Sequence, residues 1–238
     1  MNNIELYAVK YGTSIFSTRY IFYNDNSNKN VGFAWLFYLL KADKKIILID
    51  TGFDDAVLQK QFGVNWQNPI VILGKDLGIT PDQITDVVIT HNHFDHIGLV
   101  YEFNKADIHI NKADYDDYIK KSKDGKIRNF LSTYDRIITF DDIYALGKYV
   151  TVKLIGGHTR GSSVVIMNFR GEKFMITGDE CYLNDNFIKQ IPVGTYFDIS
   201  KNRSFIESLK DTEMKILTMH EPTIVAKNKN IKLIFRSK

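Results

Sequence analysis

Short apolar runs separated by polar turns recur along the whole chain, a pattern that predicts a protein rich in β-strands. The clearest pair is Phe33–Leu40 and Ile46–Asp50; we expect these runs to form a hairpin around the polar segment Lys41–Lys45, buried on both faces. The β-branched run Asp86–Thr90 is also typical of a buried strand. Further strands are predicted as two within Ile4–Tyr23, then Asp107–Ile110, Ile137–Phe140, Tyr149–Ile155, Ser163–Phe169, Lys173–Thr177, Lys215–Thr218 and Ile231–Phe235.

Helical spacing of apolar side chains predicts fewer helices, which lie between these strands. Asp54 is the expected N-cap of a helix over Asp54–Phe62, and Pro81 takes the first position of a short helix that starts at Thr80. The other predicted helical segments are Gly98–Phe103, Lys112–Lys121 and Asn202–Lys210. Polar composition predicts loops at Asn24–Asn30, at Gly63–Thr80, and at the solvated helix end Lys120–Arg128.

Composition narrows the class of protein. The 238 residues are 44% apolar, enough for one substantial core, so we expect a single domain over residues 1–238. The net charge of +3 is too balanced to indicate a nucleic-acid partner. No apolar run is long enough to span a bilayer, and the first residues lack the pattern of a signal peptide. With Cys181 as the single cysteine no internal disulfide can form, so we expect a cytoplasmic protein without a membrane partner. The oligomeric state stays open.

Three of the six histidines and an aspartate lie within Thr90–Gly98, directly after a predicted strand. Imidazole nitrogen and carboxylate oxygen are preferred ligands of zinc and its neighbours. Because a loop begins at this point, His91 and His93 can point one way while Asp95 and His96 point another. The segment therefore predicts a metal site, and one that is able to hold two ions.

A two-metal site needs about six or seven protein ligands, so further ligands are expected at other strand ends. Three polar residues directly follow predicted strands: His158, Asp179 and His220. Each of them alone is more simply interpreted as a turn residue, and it is their conjunction that favours metal binding. The remaining histidine, His109, lies inside a predicted strand, and we interpret it as structural.

The order of these residues, with Asp50-Thr51-Gly52 upstream, resembles the metallo-β-lactamase superfamily over nearly the whole chain. The resemblance implies an α/β fold of four layers, the αββα sandwich. Within the superfamily, the spacing Asp179-x-x-Tyr182 and the loop Asn92–Asp95 are similar to those of the N-acyl homoserine lactonase group.

The resemblance also implies a role for each candidate residue. The seven implied ligands divide around one bridging carboxylate: His91, His93 and His158 on one ion, Asp95, His96 and His220 on the other, and Asp179 on both. Asp50 would orient the ligand loop, although a plain turn residue is an equally good interpretation of it. Tyr182 would stabilise the oxyanion and Asp95 would protonate the leaving group.

The implied activity is that of a dinuclear zinc-dependent hydrolase that opens a lactone, an N-acyl homoserine lactone or a related ester, by attack of a metal-bridging hydroxide. Other divalent transition metals also suit these ligands. Alternatives that share the site are a thioesterase of the glyoxalase II kind, a β-lactamase and a phosphodiesterase. A diiron redox member commonly carries Glu where His93 stands, which favours zinc. A non-enzymatic metal-binding protein is the alternative from another class.

Two departures from the family pattern bear on the substrate. The segment Gly157–Gly161 lacks the usual Pro before its Gly-His pair, and Glu221-Pro222 follows His220 where Asp or Gly is common. Neither removes a ligand. Substrate choice is expected to depend on the loops Asn24–Asn30, Gly63–Thr80 and Ile191–Asp198, while Trp66 and the aromatic N-terminal strands either line an acyl-chain pocket or fill the core.

Overall fold

The computed structural model describes residues 3–237 and contains two β-sheets packed face to face. The strands are β1 (Glu5–Ser17), β2 (Asn30–Ala42), β3 (Lys45–Ile49), β4 (Asn65–Trp66), β5 (Asp86–Ile89), β6 (Asp107–Asn111), β7 (Ile137–Phe140), β8 (Ile143–Leu146), β9 (Val150–Leu154), β10 (Ser163–Phe169), β11 (Glu172–Ile176), β12 (Lys215–Leu217) and β13 (Ile231–Arg236). The helices are α1 (Thr18–Ile21), α2 (Ala56–Gln61), α3 (Pro69–Leu77), α4 (Phe94–Ile97), α5 (Lys112–Lys121), α6 (Gly125–Thr133), α7 (Asn184–Ile188) and α8 (Ile199–Ser208). Short 3₁₀ turns cover Pro81–Gln83, Val100–Glu102 and Gly178–Glu180. Residues 1, 2 and 238 of the predicted single domain lie outside the described part.

The first sheet has the strand order β13-β1-β2-β3-β5-β6-β7, and β4 pairs with β1. The pairs β13/β1, β1/β2 and β2/β3 are antiparallel. From β3 onward the neighbours β5, β6 and β7 run parallel. The carboxyl ends of β3 and β5 therefore lie side by side at one edge of this sheet.

The second sheet has the order β12-β11-β10-β9-β8. Strands β11 and β12 are parallel, whereas β10 is antiparallel to both β9 and β11. Strands β9, β11 and β12 consequently run in one direction, and their carboxyl ends lie at the same edge of the sheet. Two edges, one from each sheet, thus present the loops that carry the predicted ligands.

Alternation along the strands separates the layers. In β3, Ile47 and Ile49 belong to the core between the sheets, whereas Leu48 belongs to the core between the first sheet and helices α3, α5 and α6. On the outer face of the second sheet, Val164 packs with Phe205 of α8. Each fully buried aliphatic or aromatic side chain stabilises the fold by roughly 1.5–3 kcal/mol. The predicted four-layer αββα arrangement is confirmed.

The prediction of two strands within Ile4–Tyr23 was wrong. One long strand, β1, ends at Ser17 and is followed by the short helix α1. The register of β1 against β2 shifts between Lys10 and Gly12, so the chain continues through an irregularity instead of turning. The N-cap prediction was also wrong by one residue, because Asp55 accepts hydrogen bonds from the first amides of α2.

Two predicted loops contain helices. Gly63–Thr80 includes α3, which begins with the signature Asn68-Pro69: the Asn68 side chain caps the helix and Pro69 takes its first position. The segment Lys120–Arg128 includes the start of α6, capped by Asp124. Further departures are a helix α8 that starts at Ile199, a helical turn α4 that precedes Gly98, and the elements β8 and α7, which the apolar pattern did not predict.

Among residues 3–237, no helix combines the length and apolar character needed to cross a bilayer.

Candidate metal centre

The loops that follow the strand ends bring all seven predicted ligands together. They form two adjacent groups: His91, His93, His158 and Asp179 in the first, and Asp95, His96 and His220 in the second. The motif loop after β5 supplies four of these residues, while β9, β11 and β12 each lead to one more. Only His93 is not fully buried.

The first group converges on a point between three imidazole nitrogens and one carboxylate oxygen. His93 Nδ1 lies 3.1 Å from His91 Nε2 and 2.9 Å from His158 Nε2. Asp179 Oδ2 lies 3.6 Å from the Nε2 atoms of both His91 and His158. The four side chains therefore surround one small volume.

The second group is built in the same way on the other side of Asp179. Its Oδ1 atom lies 3.3 Å from His96 Nε2 and 3.1 Å from His220 Nε2. Asp95 Oδ2 lies 3.2 Å from His96 Nε2 and 3.6 Å from His220 Nε2. Asp179 thus offers one carboxylate oxygen to each group, which is the arrangement of a bridging ligand.

These separations, which range from 2.9 to 3.6 Å, are close to those between the ligand atoms of one metal ion. Nitrogen and oxygen donors at about 2.0–2.2 Å from a shared tetrahedral ion lie about 3.3–3.6 Å from one another. Moreover, His96 Nε2 is buried and makes no hydrogen bond to any residue in the described part of the chain, although Asp95 and Asp179 oxygens lie within 3.3 Å of it. Such a nitrogen, close to two carboxylate oxygens but without a hydrogen bond to either, is expected where all three atoms face a common cation.

Hydrogen bonds to the other ring nitrogens fix the orientation of the imidazoles. His158 Nδ1 donates to the Thr195 carbonyl at 2.8 Å, and His220 Nδ1 donates to the Ala34 carbonyl at 2.9 Å. A proton on Nδ1 leaves the Nε2 lone pair of each neutral ring directed into the centre. This is the support that metal-binding histidines usually have.

Charge favours a cation at this place. Burial holds the pKa of His91 well below its ordinary value and lowers that of His158 to about 4, so both rings are neutral near pH 7. Burial also opposes protonation of His96, but the carboxylates of Asp95, Asp179 and Asp50 outweigh it and raise its pKa well above the ordinary value. The carboxylates therefore require positive charge at the second group.

Asp50 connects the end of β3 to the motif loop. Its Oδ2 accepts from His96 Nδ1 at 2.7 Å, and its two oxygens accept from the Thr90 amide and hydroxyl, each at 2.7 Å. Asp50 also has a left-handed backbone, with φ of 62°, so it is a turn residue as well. Both sequence interpretations of Asp50 therefore describe part of its role.

Two buried carboxylates that the sequence did not single out hold the His158 loop. Glu180 Oε1 accepts from the amides of Gly157 and His158 at 2.9 and 3.0 Å. Asp114 of α5 accepts from the Gly161 amide at 2.7 Å. It also accepts from the Thr159 hydroxyl at 2.7 Å and from the Asn92 amide at 3.0 Å, and so joins the His158 loop to the motif loop. The one available signal was the position of Glu180 beside a predicted ligand.

Tyr182 lies at the edge of the centre. Its ring centroid is 5.6 Å from those of His158 and His220, and its side chain lines the adjoining cavity. Burial, followed by the charges of Asp179 and Asp95, holds the pKa of Tyr182 well above its ordinary value. The hydroxyl therefore keeps its proton and can donate a hydrogen bond near neutral pH.

An apolar cavity of about 510 Å³ opens onto the second group. Asp95, Asp179 and His220 form its inner end. Aromatic side chains form most of its walls: Phe16, Phe33, Trp35, Phe62 and Phe94. Phe33 stacks on the His220 ring with centroids 4.1 Å apart, so the apolar wall reaches the centre itself.

The sequence expectations about the pocket hold in part. Trp66 packs against the core instead of lining this cavity, and its indole donates to the Phe53 carbonyl at 2.8 Å, whereas aromatic residues of β1 and β2 do line the cavity. Of the three loops expected to decide substrate choice, only Ile191–Asp198 contributes to the lining, through Thr195. The other outer walls come from the end of β1, α1 and the end of α2.

His109 lies apart from the centre and contacts Asp86, and Cys181 is buried.

Two sandwiched sheets with paired histidine and carboxylate groups at one edge define a class of metal-binding proteins, and comparison with known proteins agrees. The model of the metallo-β-lactamase superfamily matches residues 33–210, and the chain belongs to that superfamily.

Its relatives include an N-acyl homoserine lactonase of Bacillus cereus, 26% identical over 192 residues, which cover 75% of this chain and 76% of the relative. Among solved structures, a quorum-quenching N-acyl homoserine lactone lactonase superposes with a TM-score of 0.81 at 20% identity, covering 96% of this chain and 97% of that one. AidC, a dizinc quorum-quenching lactonase, superposes with a TM-score of 0.75 at 21% identity, covering 99% and 95%. At these identities the structural matches support the fold.

Proposed function

We propose that this protein is a dinuclear zinc-dependent hydrolase that opens a lactone, an N-acyl homoserine lactone or a related ester, by attack of hydroxide. The observation that carries the proposal is the convergence of seven donor side chains in two groups that share Asp179, beside an apolar cavity. The 26% identity of the chain to an N-acyl homoserine lactonase supports a lactone as the substrate.

The two groups of donors would each hold one ion: His91, His93 and His158 the first, Asp95, His96 and His220 the second, with Asp179 shared. Two divalent ions bound there supply Lewis acidity, which makes hydroxide available near neutral pH and polarises the carbonyl under attack. Zinc suits the nitrogen-rich donor set and the tetrahedral spacing.

The side chains around the groups complete the chemistry. Tyr182 is protonated and lines the cavity, so its hydroxyl is placed to donate to the carbonyl oxygen as negative charge develops there. Asp95 also lines the cavity, and its carboxylate is the candidate group to take the proton of the attacking hydroxide after it has added to the carbonyl and to pass that proton to the leaving alkoxide. Ring opening of a lactone then yields one carboxylate and one hydroxyl.

The shape of the cavity agrees with an amphiphilic substrate. Its aromatic walls exclude water from one side of the centre and can bury an acyl chain, at roughly 0.8 kcal/mol for each methylene. The donors at the inner end then meet the ester or lactone group at the polar end of the chain. This arrangement favours acyl-bearing lactones over small hydrophilic esters.

The test is hydrolysis of a panel of N-acyl homoserine lactones, simple lactones, thioesters, β-lactams and phosphodiesters by zinc-loaded protein of measured metal content. The proposal expects lactones with acyl chains to be opened fastest, and His93→Ala to abolish the reaction. His109→Gln is the matched control, because this histidine contacts Asp86 outside the two groups.

Faster turnover of thioesters, β-lactams or phosphodiesters than of lactones would replace the substrate with the corresponding alternative. Two bound ions with no turnover on any member of the panel would favour a non-enzymatic metal-binding protein. A His93→Ala variant as active as the parent would overturn the metal mechanism.

A further inference from the structure

A second cavity, of about 500 Å³, adjoins the apolar cavity at His93. His93 and Thr195 line both cavities, so the two meet at the candidate centre. The second cavity also contacts His158, whereas Asp95 and His220 line only the apolar one. The apolar cavity therefore touches both groups of donors, whereas the second cavity touches only the first group.

The second cavity differs from the first in its charged side chains: Asp114, Asp117, Lys121 and Arg160 line it beside aromatic residues. Lys121 and Arg160 line it, and both pair with Asp117: Lys121 Nζ lies 3.0 Å and Arg160 Nη1 lies 3.5 Å from its carboxylate oxygens. The side chains of Lys121 and Arg160 are 64% and 53% exposed, so both cations remain open to a ligand. One carboxylate thus positions two cations at the wall of the cavity.

Arg160 belongs to a rigid part of the chain. Its neighbours on both sides, Thr159 and Gly161, donate hydrogen bonds of 2.7 Å to the buried Asp114 carboxylate. His158, two residues before Arg160, is a candidate ligand. The backbone at Arg160 is therefore held close to the candidate centre, and the guanidinium lies within a side chain's reach of it.

We propose that the charged cavity is a second substrate subsite. The acyl chain lies on one side of the scissile bond, and Lys121 and Arg160 select for a carboxylate on the part of the substrate on the other side. The inference rests on the proposed hydrolase function and narrows its substrate to an acyl ester with an anionic alcohol part, because the ring of an N-acyl homoserine lactone carries no carboxylate. An ester whose acyl chain occupies the aromatic cavity must direct its alcohol part away from that cavity, and the charged cavity is the adjoining space beside His93.

The test compares two esters with one acyl chain, phenyl hexanoate and 4-(hexanoyloxy)benzoate, on zinc-loaded protein. The measured quantity is the ratio of kcat/KM for the charged ester to kcat/KM for the neutral ester, determined for each variant. The two leaving groups differ in reactivity, but this difference is the same for every variant and cancels when the ratios are compared. We expect the charged ester to be favoured in the parent. Arg160→Gln and Lys121→Gln should each lower the ratio by about threefold to fivefold, because exposed charge pairs contribute up to about 1 kcal/mol.

Asp117→Asn should raise the same ratio, because it removes the negative charge between the two cations. Lys215→Gln is the matched control: Lys215 is an exposed lysine paired with Glu172 that lines neither cavity, and its loss should leave the ratio unchanged. Raising the ionic strength to about 1 M should erase the preference in the parent, because the Debye length falls to about 3 Å.

Binding of the amide analogues N-phenylhexanamide and 4-(hexanoylamino)benzoate, measured by calorimetry, separates this proposal from the proposed function. One possible result is that no ester is hydrolysed, while the charged amide binds the parent more tightly than the neutral amide does and loses this advantage in Arg160→Gln. In that case the subsite stands and the hydrolase proposal fails. A ratio that is the same in the parent, Arg160→Gln, Lys121→Gln and Asp117→Asn would overturn the subsite, whatever the activity.

Discussion

The first sheet contains two buried histidine–aspartate pairs that differ in their surroundings. At the carboxyl edge, His96 Nδ1 lies 2.7 Å from Asp50; at the opposite end of the parallel strands, His109 Nε2 lies 3.1 Å from Asp86. In both pairs the other ring nitrogen is buried without a hydrogen-bond partner among the described residues.

The difference lies in what that free nitrogen faces. His96 Nε2 has oxygens of Asp95 and Asp179 at 3.2 and 3.3 Å, whereas the His109 ring lies against Tyr144, with centroids 5.3 Å apart. A buried histidine held by a carboxylate is thus not sufficient for a metal site. The two pairs differ because further metal-binding side chains, supplied by the ends of other strands, converge on His96 but not on His109.

The largest effect is expected for Asp179→Asn, which removes the charged carboxylate shared by the two groups. An amide presents only one neutral oxygen, so metal content should fall from two ions per chain to one or fewer. Hydrolysis should fall by roughly a thousandfold, because metal-ion catalysis contributes several kcal/mol. Elemental analysis and lactone kinetics measure both. His109→Gln should change neither, and a loss of metal in His109→Gln would show that the distinction between the pairs is wrong.

A smaller effect is expected for Asp50→Asn, which weakens the support of His96 without removing a proposed ligand. Loss of such a partner lowers metal affinity by about tenfold to a hundredfold. Competition with a zinc chelator measures the affinity of the weaker site. Asp86→Asn makes the same chemical change in the other pair and should leave zinc affinity at the parent value; equal losses in the two variants would contradict the comparison.

The His158 loop gives a third prediction. A Cβ on Gly157 would lie 2.4 Å from Glu180 Oε2 and 2.7 Å from Asn202 Cβ, so Gly157→Ala must displace the residues that hold the loop. We expect the free energy of unfolding to fall by about 1–3 kcal/mol. Gly125→Ala is the control, since a Cβ there meets nothing within 4 Å. Urea denaturation of both variants decides whether the close packing at Gly157 is as the structure has it.

The smallest effect concerns the pH dependence of the Asp86 pair. Burial raises the pKa of Asp86, but hydrogen bonds from His109, Lys45 and Thr85 outweigh it and lower the pKa to about 2. A carboxyl group with a lowered folded-state pKa stabilises the protein above its unfolded value of about 4, and that stability is lost as the pH falls toward 2.

In metal-free protein, the advantage of the parent over Asp86→Asn in the free energy of unfolding should therefore be constant from pH 7 to 5 and should shrink below pH 4. Urea titrations at pH 7, 5 and 3 measure it. An advantage that grows on acidification would contradict the assignment of Asp86 as a carboxylate that stabilises the fold through its hydrogen bonds.

The sequence was sufficient to predict the proposed ligands because each follows an apolar strand, and the carboxyl ends of such strands meet at shared edges. The supports of these residues could not be predicted in the same way. Asp114 bonds to Gly161, 47 residues away along the chain, and no local pattern connects the two. Glu180 likewise accepts a hydrogen bond from the amide of Gly157, 23 residues away along the chain.

The errors in the fold have physical reasons too. Helix α3 was missed although Asn68-Pro69 is a helix-start signature, because the apolar run that follows has no polar spacing. Strand β1 continues through Gly12, where its register against β2 shifts, so one long strand stands where two were predicted. The aromatic N-terminal strands line the cavity, as one of the two interpretations expected, whereas of the three loops expected to decide substrate choice only Ile191–Asp198 reaches it.

The central claim, a two-metal centre around Asp179, is tested most directly by X-ray absorption at the zinc edge on protein reconstituted with zinc and analysed for metal content. We expect two zinc ions per chain, with nitrogen and oxygen ligands at about 2.0–2.2 Å and a second zinc at about 3.5–4 Å. One zinc ion per chain, or two without a zinc neighbour at that distance, would contradict it.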